Sequence, residues 1–261
     1  MRRLLIILGV LILVFGCASQ KPVEKEIKII KKIEKISLPA WIYDLPQTDE
    51  FVVGISSRSI YEDQMKDASK QMASVMHSRN KASYTITKSA ATTKEDYLSG
   101  GSAQFKLNVS SSPEETQRIY ENLQLVDEVF YYEFYLALFA ESTNEVNESC
   151  KTKYVANFPE WYENDGLKVD EGNLRSYASE SSSNLISAWE TAAEKARFEI
   201  AKYLEKDVQS VLTSENENIT KKYAIETRQK LAEIQISRSH ITSELYDNLR
   251  SYKVYLEVSA K

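Results

Sequence analysis

The sequence predicts an α+β protein of two tandem similar units, each a small antiparallel sheet packed against amphipathic helices. Three observations carry that reading. Pro39-Ala40-Trp41 returns 120 residues later as Pro159-Glu160-Trp161. Tyr61 to Met76 and Leu185 to Leu204 both space their apolar residues as one face of a helix. Two β-prone runs, Tyr132 to Leu138 and Tyr252 to Val258, again stand 120 residues apart. The chain divides accordingly: 1–16 a lipoprotein signal peptide, 17–38 a lipidated cysteine and charged tether, 39–145 the first unit, 146–158 a linker, and 159–261 the second unit.

The first element reads as an export signal. Arg2 and Arg3 form a basic start, and Leu4 to Phe15 are apolar except for Gly9. So short a stretch falls below the ~20 residues that cross ~30 Å of hydrocarbon, which makes it a signal rather than a span. Leu13-Val14-Phe15-Gly16-Cys17 then looks like a bacterial lipobox, with diacylglycerol on the Cys17 sulfur and cleavage before it. At ~0.8 kcal/mol for each buried methylene, two or three acyl chains make such an attachment effectively permanent. Ala18, where an aspartate would retain a lipoprotein at the inner membrane, points to the outer membrane, on its periplasmic or its surface face. The plainer alternative is an ordinary secretory signal with an incidental cysteine.

The tether, residues 18–37, sets Val23, Ile27, Ile30 and Ile33 at helical spacing among charges. It reads as a self-associating stalk, as a solvated spacer, or as a first strand of the following unit.

Within the first unit the expected order is a strand at Phe51 to Ser56, a helix with Met65, Ala68, Met72 and Met76 on one face, and a strand at Ala82 to Thr87. A polar excursion follows at Thr92 to Gln104, then a strand at Phe105 to Ser110 and a last strand running from Phe130 to Phe139. In the second unit the matching pieces are a strand at Leu174 to Ser179 and a helix carrying Trp189, Ala192, Ala196 and Ile200, offset by 124 from the first helix. After it come a strand at Val208 to Thr213, a helix at Ile219 to Glu233, and strands at Glu233 to Ser237 and Tyr252 to Val258. Tyr120-Glu121-Asn122-Leu123 also matches Tyr246-Asp247-Asn248-Leu249.

The Pro-x-Trp motif, the strand ending Val53-Gly54-Ile55-Ser56 and the helix bearing Ala68 and Ala73 resemble the LPP-twenty family of bacterial outer-membrane lipoproteins. The resemblance covers most of 39–140 and, more weakly, 159–259, where Tyr177-Ala178 replaces Gly54-Ile55. It implies a small sheet with helices on one face, envelope attachment, a non-enzymatic role, and self-assembly or surface exposure. It carries no catalytic residues over.

Charge and chemistry point the same way. The −5 of the whole chain becomes −7 without Arg2 and Arg3; six Lys against three Glu make 18–37 +3, so 38–261 carries −10. An acidic body argues against nucleic acid, whose binding rests on cationic side chains. With Cys17 acylated, Cys150 is the one free thiol, in a polar stretch from Glu145 to Lys153. His77 and His240 are the only histidines, and neither joins a zinc-ligand spacing. Seven glycines form no phosphate loop, and Ser78-x-x-Lys81 lacks the companion motifs of a penicillin-recognising enzyme. No cofactor, metal or small-molecule substrate is evident.

The last strand of the first unit is apolar on both faces, so it needs cover on both. Tyr131, Tyr135 and Phe139, with Tyr255 in the second unit, are therefore either packed beneath a second layer within the protein or form an interface with another molecule. The functional expectation is a non-enzymatic envelope lipoprotein with a structural, assembly or protein-binding role. Its partners would be the membrane through its anchor and a protein or its own copies. The rivals are a surface-displayed adhesin and a periplasmic activator of a cell-wall enzyme.

Overall fold

A computed structural model describes residues 32–33, 36–46, 51–81, 84–91, 104–106, 112–141, 147–170, 173–213, 223–230 and 233–260. In chain order the first elements are β1 (Lys32–Ile33), β2 (Leu38–Pro39), α1 (Ala40–Tyr43) and β3 (Phe51–Ser57). Then come α2 (Glu62–Lys81), β4 (Tyr84–Ala91), β5 (Gln104–Lys106), α3 (Pro113–Asn122), β6 (Gln124–Tyr131) and β7 (Phe134–Ala140). The remainder is α4 (Glu148–Lys151), β8 (Lys153–Tyr154), β9 (Gly166–Asp170), β10 (Asn173–Ser182), α5 (Leu185–Thr213), β11 (Tyr223–Lys230), β12 (Ile234–Tyr246) and β13 (Leu249–Ala260). Among the described residues this is an α+β fold with five helices and three antiparallel sheets, ordered β3-β7-β6, β1-β12-β13-β10-β9 and β11-β4-β5, plus a two-residue ladder between β2 and β8.

Each helix starts where its sequence allows. Ser112 caps α3 by accepting from the Glu115 amide, and Pro113 takes the first position, where its missing N–H costs nothing. Asn184 does the same for α5, accepting from the Ile186 and Ser187 amides at 2.9 and 3.2 Å. The α5 face toward the sheet is made of Leu185, Ala188, Trp189, Ala192, Ala193 and Ala196, none of which is exposed. Small side chains let the helix axis approach β10 and β13 closely. On α2 the buried stripe is Met65, Ser69, Met72, Ala73 and Met76. Ala68, expected on that face, is exposed instead. The stripe is centred on Ser69, because the helix lies over the bare backbone of Gly54 in β3.

Buried apolar residues of both halves form one contiguous core running from Leu38 to Val258. Tyr252 of β13 meets the Phe134 ring of β7 edge-on at 5.1 Å. Trp41 of α1 donates to Asp127 of β6 at 2.7 Å, and Ser239 of β12 donates to the Ile42 carbonyl. β11 also pairs along its whole length with β4. Cys150 and the rest of 147–158, read as part of a linker, lie in α4, β8 and the segment after them; Cys150 is half-buried against the core.

Several expected elements differ. Val208 to Thr213 continues α5 rather than forming a strand. The expected helix at Ile219 to Glu233 contains a strand, β11. The run Phe130 to Phe139 is broken by a turn at Tyr132-Glu133, where Tyr132 takes φ 54°. Its ring is held there by Arg250, whose guanidinium carbon lies 3.5 Å from the ring centroid. Tyr120-Glu121-Asn122 closes α3, whereas Asp247-Asn248 is the β12–β13 turn with φ 45° and 66°, so the matched tetrapeptides adopt different structures. Likewise β5 and β12, which hold the loosely matched strands, belong to different sheets.

Candidate functional site

The five-stranded sheet has two unlike faces. Ala178 of β10 with Val254, Leu256 and Val258 of β13 face α5 and are buried. The alternate residues form the opposite face. Tyr177, Glu257 and Arg238 lie side by side across β10, β13 and β12, and the next rank is Ser179, Tyr255 and His240. A strap formed by residues 154–165 crosses this second face. Phe158 meets Tyr255 edge-on at 5.2 Å and His240 at 6.2 Å, Tyr162 meets Tyr255 at 4.8 Å, and Trp161 stacks on Tyr177 at 6.2 Å. Tyr162 Oη accepts from Ser179 Oγ at 3.0 Å, which fixes the strap on the sheet, and donates to Asp165 within the strap.

Two openings flank the strap. On one side is a polar groove of about 490 Å³ lined by Arg175, Arg238, Glu257, Asp44, Ser237 and Ser259. Glu257 is buried, accepts from Ser237 Oγ at 2.7 Å and lies 3.7 Å from Arg238, which also reaches toward Asp44 at 3.9 Å. On the other side, between the strap and the edge of β12, is a cleft of about 280 Å³. Tyr43, Tyr131, Phe158 and Tyr255 wall it, and His240 forms part of its floor. The rim carries Tyr154, Val155 and Phe158, exposed by 43, 46 and 56%.

Of the four residues expected either in a second layer or at an interface, Tyr131 and Tyr255 come together in this cleft, both buried. Tyr131 bonds to Ser243, yet burial dominates and pushes its phenol well above the ordinary range. Tyr135 instead donates to Glu128 at 2.5 Å and faces α2, and Phe139 is buried on the same face beside Val52. Their own chain covers all four. Cys17 lies outside the described residues. Sequence reasoning missed Tyr43, Phe158 and His240 as cleft residues. The available signal was the dense aromatic run Phe158, Trp161, Tyr162, which was assigned to a linker and a repeat marker.

A second charged cluster lies at the end of α2. Glu141 meets His77 Nε2 at 3.4 Å, bonds to Lys81 and lies 3.5 Å from Arg118. Burial works against the Glu141 charge, but Lys81 and His77 outweigh it and hold the carboxyl below its usual range. Burial lowers His77, with Lys81 adding to the effect. Burial alone takes His240 to about 4.

Both histidines therefore bind fewer protons folded than unfolded, and stability falls as pH drops below about 6.5. For His240 the loss between pH 7 and pH 5 is about 2 kcal/mol. Urea denaturation at the two pH values measures it, and His240→Phe should flatten the difference. An unchanged pH dependence in that variant would refute the assignment.

No group of three His, Cys, Asp or Glu side chains among the described residues has metal-binding geometry. The arrangement is suited to holding a ligand: an aromatic wall with a few polar groups that fix orientation. No protein-family model, curated protein or solved structure matches the chain.

Proposed function

We propose that the chain is a non-enzymatic lipoprotein of the bacterial envelope, anchored at the outer membrane through Cys17, with a structural or protein-binding role. The observation that carries this reading is the segment Leu13-Val14-Phe15-Gly16-Cys17 behind a basic, apolar leader. Acyl chains on Cys17 would supply the attachment; no helix among the described residues is long and apolar enough to cross a membrane. The short motifs Pro39-Ala40-Trp41 and Val53-Gly54-Ile55-Ser56, which resemble those of the LPP-twenty family, are in keeping with the same reading. The exposed rim Tyr154, Val155 and Phe158 supports a binding role, because apolar side chains gathered beside a cleft gain from being covered.

We also read the chain as a tandem duplication. The orders β3-α2-β4-β6-β7 and β10-α5-β11-β12-β13 correspond, apart from β5 and α3. In each, the last strand lies between the first strand and the hairpin partner. This correspondence supports a common unit, with β4 and β11 pairing as equivalents.

In cells fed radiolabelled palmitate, the protein should incorporate label, and Cys17→Ala should abolish incorporation and release the protein into the soluble fraction. Equal labelling of both forms would overturn the anchor. Crosslinking in intact envelopes should capture either a second copy or a defined envelope protein. A strictly monomeric, uncrosslinked species would overturn the binding role.

A further inference from the structure

We infer that the cleft between the strap and β12 binds one uncharged sugar ring of the pyranose class, stacked on its aromatic wall and hydrogen-bonded to His240. This goes beyond the lipoprotein reading and stands independently of it.

The chemistry of the lining selects the ligand. His240 is 5% exposed and lines the cleft, and its ring nitrogens are not among the fully buried unpaired atoms, so they are open to a ligand there. A ligand that covered those nitrogens without hydrogen-bonding to them would leave a buried polar group unpaired, which is costly. Three of the other polar groups nearby are already engaged. Tyr131 bonds to Ser243, Tyr43 Oη lies 3.5 Å from the Tyr154 carbonyl, and Glu244 accepts from Tyr246 at 2.5 Å. The open position in the cleft is thus at the imidazole, with Asn157 and Thr242 beside it. Burial keeps that imidazole neutral at pH 7, so it offers one donor and one acceptor.

Other ligand classes fit less well. No Lys or Arg lines the cleft, which leaves an anion without a counter-charge. A quaternary ammonium would suit the rings but form no hydrogen bond with His240. An acyl chain or a plain aromatic ring would bury the imidazole further and leave it unpaired. A pyranose satisfies both halves of the site. Its C–H face, weakly positive, stacks on the negative faces of aromatic rings, while its hydroxyls both donate and accept. The volume, about 280 Å³, lies at the small end of ligand pockets and suits a single ring. The sequence carries no local motif for such a site, because Tyr43, Tyr131, Phe158, His240 and Tyr255 are brought together only by the fold.

The test is a titration of the full-length, detergent-solubilised protein with glucose, galactose and N-acetylglucosamine, followed by calorimetry and by the imidazole nitrogen signals of His240. At least one sugar should saturate below about 50 mM, a range that reveals dissociation constants of a few mM. The same sugar should shift the His240 signals. Phe158→Ala, at an exposed position, and His240→Phe, which keeps a ring but removes both nitrogens, should each weaken it about tenfold. Failure of all three sugars to saturate overturns the proposal. So does saturation that neither variant affects, or tetramethylammonium or phenol moving the His240 signals when the sugars do not. Palmitate labelling at Cys17 is indifferent to every one of these outcomes, so the two readings fail separately.

Discussion

Replacing Gly54 with alanine is expected to lower stability by about 3 kcal/mol, although it adds a single methyl group. A Cβ built on Gly54 would lie 2.8 Å from Ser69 Oγ and closer still to the Ser69 carbonyl oxygen. Gly54 has no positive φ, so its requirement is space rather than backbone conformation. The obstruction includes the backbone of α2 itself, which cannot move aside by rotating a side chain. To admit the methyl group, α2 must lift from β3, and Met65, Met72 and Met76 lose part of their contact with the sheet. For a chain of this size the midpoint of thermal unfolding should fall by roughly 6–12 °C. Circular dichroism melts of the wild type, Gly54→Ala, Ser69→Ala and the double variant would measure it. Ser69→Ala alone should be nearly neutral, and it should not rescue Gly54→Ala, because the carbonyl remains. A Gly54→Ala protein that melts with the wild type would refute the close approach.

The same contact shows how much of the fold could be read from the chain. The helical periodicity of Met65, Met72 and Met76 placed α2 on a sheet, and the apolar strand Phe51 to Ser56 supplied that sheet. The phase of the stripe was wrong by one residue at Ala68, because only the tertiary contact between Gly54 and Ser69 sets which side of α2 is central. Val208 to Thr213 looked like a strand on β-branched content, but a helix already running from Leu185 through alanine, glutamate and lysine continues through it. The opposite error occurred at Tyr223 to Lys230. There Tyr223, Ile225 and Thr227 alternate with Ala224, Glu226 and Arg228, a period-two signal outweighed in the reading by helix-forming composition. The aromatic cleft was the least legible feature. Its walls come from segments more than a hundred residues apart, and no spacing rule joins Tyr43 to His240.

Asn80→Ala should cost about 3 kcal/mol, whereas Arg197→Met should be neutral or stabilising. The difference follows from what surrounds the guanidinium. Arg197 is fully buried in the middle of α5, and its Nη2 donates to Asn80 Oδ1 at 2.5 Å. Its Nε and Nη1 are buried without a hydrogen-bond acceptor. Burial first, and then the neighbouring Arg79, lower its pKa to about 10 against a pull from Glu194. A cation so placed has already lost its hydration. Removing the Asn80 carbonyl oxygen takes away its one hydrogen-bond acceptor among the described residues and leaves the charge stranded. Methionine at 197 keeps the length of the side chain, removes the charge and leaves only the Asn80 amide to find a partner. In the Arg197→Met background, Asn80→Ala should then cost less than about 1 kcal/mol, a coupling of roughly 2 kcal/mol between the two positions. Urea unfolding of the four proteins in the cycle gives this number directly. If Arg197→Met loses as much stability as Asn80→Ala, the guanidinium is a net contributor to the core, and the unpaired donors are not the burden that their burial implies.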